Sequence, residues 1–250
     1  MNTGDNRSMT GKVDKVDYEE LLPHEFAERL AQRPVGYLPL GTLEWHGPQN
    51  ALGADFLQSR ELFRRAARRF GGIVLPPLWL GPDRITGQPG APGLIGMDSD
   101  DSTMPHRPLP GSLYWIPRGL FLLLVESILA QAVRAGFRCI VADGHGPSRI
   151  AWAEMASAWE AQFGLKLVSA TRDFPNQWQT QNDHAGRNET SILMAARLDL
   201  VDLTRLPPDR SEWPQGVAGE DPRDATPAFG EALIEATLAL IGKKLQELGI

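Results

Sequence analysis

The chain has 250 residues, enough to bury a full core, and α/β folds of this size commonly form one domain. Apolar residues make up 42% and charged residues 22%, ordinary for a globular protein, and the net charge of −6 argues against a general nucleic-acid binder. Cys139 is the only cysteine, which excludes an intrachain disulfide and is compatible with a reducing cytosol.

Residues 1–16 are polar and lack the apolar stretch of a signal peptide, so a flexible N-terminal tail is expected ahead of a single domain over 17–250. DYEELLPHEFAERLAQ has helical spacing and ends before Pro34. VGYLPL (35–40) predicts a strand ending at Gly41, and the helical pattern from Asp55 to Phe70 stops at Gly71 and Gly72. The basic residues of that helix, Arg60, Arg64, Arg65, Arg68 and Arg69, have spacings that fit its solvent face. IVLPPLWL predicts another strand. The segment from Gly81 to Gly111, rich in Gly, Pro and Asp, is too long for a simple connection and is expected to fold over a site.

A long helix follows from about Pro117 to Ala135. Its most apolar part, GLFLLLVESILA, is interrupted by Glu126 and Ser127 before it reaches membrane-spanning length. FRCIVAD predicts a strand with Cys139 as a buried structural thiol, followed by the loop GHGPS, a helix from about Arg149 to Phe163 and the strand LKLVSATRD. After the helical run ILMAARLDL, a Pro-rich charged stretch over 204–227 precedes a terminal helix, FGEALIEATLALIGKKLQEL. Strands alternating with helices of ten or more residues predict an α/β class protein, a layered α/β/α domain with a mostly parallel sheet. A cytoplasmic protein with no membrane or nucleic-acid partner is expected.

Three segments carry ligand-type side chains to the carboxyl ends of predicted strands, where open α/β sheets bind ligands. In GTLEWHGPQNALGAD (41–55), Glu44 and His46 are two residues apart and point to one side of an extended backbone, and Asp55 opens a helix. Two carboxylates and an imidazole suit a borderline cation such as Zn²⁺ or Mn²⁺, although Asp55 could equally be a plain helix cap. In DGHGPS, glycines flank His145 and leave its imidazole unscreened. In DHAGRNETS, His184 and Glu189 precede a helical run, where Glu189 also suits the first turn and Asn188 the cap. There is no GxSxG elbow, P-loop, HExxH or GxGxxG after a strand, which disfavours serine hydrolase, nucleotide-binding and zincin chemistry.

With these signatures in order over roughly residues 35–203, the chain resembles the creatininase (creatinine amidohydrolase) family. The resemblance implies a two-metal centre of Zn²⁺ or Mn²⁺ bridged by Asp55, with Glu44 and His145 on one ion and His46 on the other. In creatininase itself a Glu follows the loop histidine by two residues, and here that position is Pro147. Glu189 is assigned as the replacement ligand, with water as the alternative. His184 matches the family's catalytic histidine and is expected to shuttle protons together with Glu189. Trp45, Trp79 and Trp178 are candidates for apolar walls, with Trp45 and Trp178 expected to bind substrate. The expected substrate is a small cyclic amide. The alternatives are an oxidised cyclic polyol of inosose type, opened at a C–C bond, and a non-catalytic polyol-binding protein. A homo-oligomer, often a hexamer in the family, is also implied.

Overall fold

A computed structural model describes residues 14–86, 94–96 and 109–250. Strand β1 (Val35–Leu40) is the hub of its sheet. It pairs in parallel with β2 (Ile73–Val74) on one side and with β5 (Cys139–Gly144) on the other, and β5 pairs in parallel with β6 (Lys166–Ser169). The sheet order among the described residues is therefore β2-β1-β5-β6. Helices α1 (Pro23–Gln32), α2 (Ala54–Phe70), α3 (Arg118–Ala135), α4 (Gly146–Phe163), α5 (Ala170–Asp173), α6 (Arg187–Arg197) and α7 (Pro227–Glu247) surround it. A short antiparallel pair, β3 (Ile85–Thr86) and β4 (Leu94–Ile95), stands apart.

Side chains of β1 and β5 alternate between two cores, as the period of two requires. Val35, Tyr37, Cys139 and Val141 meet Leu62 and Phe63 of α2, Ile192 of α6 and Leu238 of α7. Leu38, Leu40, Ile140 and Ala142 meet Phe121, Val125 and Leu129 of α3 and Trp152 and Trp159 of α4. Both faces are thus covered, which accounts for strands that are continuously apolar and gives the expected α/β/α layering.

Most predicted elements are present, and the differences have local causes. The strand IVLPPLWL stops after Val74 because Pro76 and Pro77 cannot donate to a ladder; beyond it the Leu75 N–H donates to the Tyr37 carbonyl and a bridge joins Leu40 to Leu78. LKLVSATRD bends into a helical turn at Ala170, where the Ser169 hydroxyl accepts from the Arg172 N–H. Helix α4 begins at Gly146, earlier than Arg149, because Pro147 presets helical φ in the first turn. Four of the five basic residues of α2 are held in ion pairs, Arg60 and Arg64 with Asp17 and Arg65 and Arg69 with Glu231 and Glu235 of α7.

The expected tail extends to residue 16, but Val16 is fully buried and its carbonyl accepts from the Val74 N–H at 2.8 Å. Residues 1–13 and most of the 81–111 loop lie outside the described residues. Among the described residues, no helix is long and apolar enough to cross a membrane. Cys139 is buried as expected, and burial pushes its thiol up to about 12.

Candidate metal centre

The parallel register sets Leu40 beside Gly144, so β1 and β5 end at the same edge and the loops that follow them meet. The Leu40 carbonyl accepts from the His145 N–H at 3.0 Å. Gly144 has φ +145°, and a Cβ there would collide with the Leu40 carbonyl, so this close turn requires glycine. The turn delivers His145 to the segment that carries Glu44 and His46. Asp55 is the second residue of α2 behind Gly53, so it does not cap the helix; its carboxylate faces the sheet edge instead.

Four of the predicted side chains converge on Asp55 or its neighbours. Asp55 Oδ1 lies 3.3 Å from His46 Nε2, and Asp55 Oδ2 lies 3.2 Å from His145 Nδ1. Glu44 Oε1 lies 3.0 Å from His145 Nδ1, and Glu189 Oε2 lies 3.7 Å from His46 Nε2. Two sets of three, Glu44 with Asp55 and His145, and His46 with Asp55 and Glu189, each bring one ligand atom per residue within 4.8 Å of the others. A further set joins Glu44, His46 and His184. The outward nitrogens fix the rings: His46 Nδ1–H donates to the Glu44 carbonyl at 3.1 Å, and His145 Nε2–H donates to the Pro82 carbonyl at 3.1 Å. Each ring thereby turns its other nitrogen toward the carboxylates.

The donor set fits divalent cations. Glu44, Asp55 and Glu189 are buried, and among the described residues their ion-pair partners are all histidines. Three buried carboxylates without a matching fixed cation need positive charge from a proton or a metal. Burial alone would lower the pKa of His46, but Asp55, Glu189 and Glu44 outweigh it and raise it to about 10. For His145, burial is likewise outweighed by Glu44 and Asp55, and its pKa rises well above the usual value. Glu189 is pushed up, first by burial.

His184 stands at the rim. Its backbone pairs with Ala218 on both sides, so the Pro-rich 204–227 stretch braces it. Its Nε2–H donates to the Trp45 carbonyl at 2.8 Å, leaving Nδ1 facing Glu44 Oε1 at 3.9 Å. Burial and the neighbouring His46 lower its pKa to about 4. Glu189 occupies the first turn of α6 behind Gly186 and turns inward, where it accepts from the Ala185 N–H at 2.8 Å. The cap role expected of Asn188 falls to Asp183, whose carboxylate accepts from the N–H groups of Asn188 and Glu189.

A cavity of about 560 Å³ opens over Glu44, Asp55, His145, His184 and Glu189, with Pro147 and Gln181 also in its wall. Neither tryptophan expected to bind substrate lines this wall among the described residues. Trp178 is a core residue packed on Phe174, and its Nε1–H donates to Asp143 Oδ2 at 3.1 Å. Trp45 is turned aside, with Nε1–H donating to the Gln215 carbonyl at 3.1 Å. Trp79 packs on Phe56. Asp83 is a residue the sequence reading missed: its side chain is 6% exposed and lines the same cavity. It sits in a Pro- and Gly-rich segment with no periodicity, so the only signal for it in the sequence is an acid directly after Gly81 and Pro82.

The sequence matches the creatininase family, described as creatinine amidohydrolase, over residues 19–245. A creatinine amidohydrolase of Pseudomonas putida is 28% identical over 237 residues, covering 84% of each chain. Among solved structures, a creatinine amidohydrolase (creatininase) superposes with a TM-score of 0.68 at 22% identity, covering 94% of this chain and 98% of its own. A structure named Creatininase Mn gives 0.65 at 24%, and a creatininase variant of Zn-Zn type gives 0.67 at 24%, each covering 93% of this chain and 98% of its own. With a match across nearly all of the described core, the chain belongs to the creatininase family of hydrolases.

Proposed function

We propose that the chain is a divalent-metal-dependent hydrolase that opens a carbonyl–nitrogen bond of a small cyclic amide in this cavity. The observation that carries the reading is the pair of buried ligand sets that share Asp55. Glu44, Asp55 and His145 would hold one cation, and His46, Asp55 and Glu189 the other, which gives Glu189 the place left by Pro147. Zn²⁺ and Mn²⁺ suit a mixed imidazole and carboxylate set, and the names of two solved relatives carry those metals. Bound there, such ions supply Lewis acidity that lowers the pKa of water and polarises a carbonyl.

The chain's own residues do the rest. Asp55 holds His46 and His145 in one arrangement from the start of a rigid helix. His184, neutral at pH 7 and fixed at Nε2 by Trp45, offers Nδ1 to take the proton of the attacking water and return it to the leaving nitrogen. Glu189 supports that exchange from the adjacent turn by holding the Ala185 N–H. The lone buried cysteine is in keeping with action in the cytoplasm, and homo-oligomeric assembly is part of the same reading.

The test is a turnover screen of zinc- or manganese-loaded protein against cyclic amides, formamides and cyclic diketones, with Glu44→Gln as control. Turnover of a cyclic amide that is lost in the control is the expected result. Turnover of a diketone alone would move the reading to C–C bond opening, and full activity in the control would remove it.

A further inference from the structure

The cavity is longer than a bare ring amide requires. Such a ring spans about 5 Å, given bonds of about 1.2–1.5 Å. The cavity holds about 560 Å³, within the range of about 300–1,000 Å³ that encloses ligands of drug size. Gly146, Pro147, Ile150, Ala151 and Glu154 line it, at the i, i+1, i+4, i+5 and i+8 spacing of one helix face. At about 1.5 Å per residue, that face of α4 runs about 12 Å outward from the His145 turn to Glu154. The chemistry changes along it. The inner end carries Glu44, Asp55 and Glu189, and the middle is apolar at Pro147 and Ile150, the latter 53% exposed. At the outer end Arg118, the first residue of α3, donates from Nη2 to Glu154 Oε2 at 2.6 Å. Both side chains of this pair are about half exposed, so it contributes little to stability. A cation in the first turn also opposes the dipole of α3, so the helix itself gives no reason for Arg118. Glu154 already presents to Arg118 the group that a ligand carboxylate would present.

We propose that this face of α4 is a specificity subsite, and that the substrate is a cyclic amide with an apolar arm ending in a carboxylate, which Arg118 receives in place of Glu154. The inference rests on the metal-site reading of the inner end. Pro147 and Ile150 cover the arm and take its methylenes out of water. The planar guanidinium of Arg118 suits a carboxylate bidentately, which a lysine in its place could not match. The ring then lies at the ligand sets, with the arm fixing which of its bonds faces His184.

The experiment measures Kd by titration calorimetry on the zinc-loaded protein for four probes: hydantoin, hydantoin with a three-methylene carboxylate arm, the methyl ester of that arm, and the matching amine. Wild type, Arg118→Ala and Glu154→Gln are compared, with thermal melts to show that each is folded. In wild type the carboxylate arm is expected to tighten binding at least about tenfold over bare hydantoin, and the ester and amine are not. That ratio is expected to fall toward one in Arg118→Ala. In Glu154→Gln it is expected to rise, because the competing carboxylate is gone; a pair that only joined α3 to α4 would make the two variants alike. A ratio near one in wild type, a ratio unchanged in Arg118→Ala, or a preference for the amine overturns the proposal and leaves the metal-site reading intact, as does failure of every probe to bind. Arg118-dependent binding by a protein that hydrolyses none of the compounds in the turnover screen would overturn the hydrolase reading alone.

Discussion

His46 and His184 stack, their ring centroids 4.5 Å apart and their planes 26° apart. The two rings have different surroundings. His46 is enclosed by Asp55, Glu189 and Glu44, whereas His184 is half-buried at the cavity rim with its Nδ1 directed toward Glu44. The proposed division of labour, His46 as a ligand and His184 as a proton carrier, rests on this contrast. His184→Ala is therefore expected to lower kcat by about 10²- to 10⁴-fold while zinc content stays at the wild-type level. A variant that loses zinc along with activity would show that His184 acts as a ligand instead, through its set with Glu44 and His46.

Asp55 is the residue on which both ligand sets depend. Asp55→Asn keeps the size of the side chain and removes the charge that both imidazoles face. Zinc content of the purified variant is expected to fall for both ions together, with turnover falling by at least about 10²-fold. Retention of one tightly held zinc would show that the two sets bind independently.

How much of this could be read from the sequence depended on whether a residue sits in a periodic element. VGYLPL and CIVADG fall in strands because runs buried on both faces are continuously apolar, and the motif residues just after them inherit the sheet edge. Glu44, His46, Asp55 and His145 could be grouped on that ground alone. Asp83 could not, because its place in the cavity wall depends on a nonperiodic segment just ahead of β3. Trp178 was misplaced for a related reason. Aromatic residues near ligand-rich loops suit both a cavity wall and a core, and the deciding partner, Asp143, lies 35 residues away in sequence. The brace of His184 by Ala218 was also hidden, since a single pair of backbone bonds leaves no pattern in side-chain composition.

The placement of Trp178 gives a stability prediction. Asp143 is fully buried, and Trp178 Nε1–H and Thr180 Oγ1–H both donate to its Oδ2, with Arg149 Nε 3.3 Å from Oδ1. Trp178→Phe removes one donor from a buried carboxylate and leaves a small void. A loss of about 1–3 kcal/mol in urea unfolding is expected. KM is expected to stay close to wild type, because the ring is packed in the core; a large rise in KM with unchanged stability would return Trp178 to the substrate wall.

Protons and cations compete for the same nitrogens, and this fixes the sign of the pH dependence. In the metal-free protein, burial alone would lower the His46 pKa, but Asp55, Glu189 and Glu44 raise it from 6.5 to about 10. A raised pKa stabilises the fold in full below pH 6.5, and that contribution is lost as pH rises through 10. Glu44 runs the other way: burial alone would raise it, but His145 outweighs burial and holds it at about 2, against 4.5 ordinarily. Its contribution is complete above pH 4.5 and is lost as pH falls through 2. Chelator-treated protein is therefore expected to lose Tm between pH 6.5 and 10. A bound cation takes the place of those protons, so the zinc-loaded protein is expected to hold its Tm over the same range. Zinc binding at pH 7 is accordingly expected to release protons and to weaken as pH falls, since His46 and His145 must give up theirs before they can ligate. Titration calorimetry in two buffers of different ionisation enthalpy measures the release directly. Equal apparent heats in both buffers would mean that the imidazoles are already neutral, and that the carboxylates of the centre are balanced by something other than protons on His46 and His145.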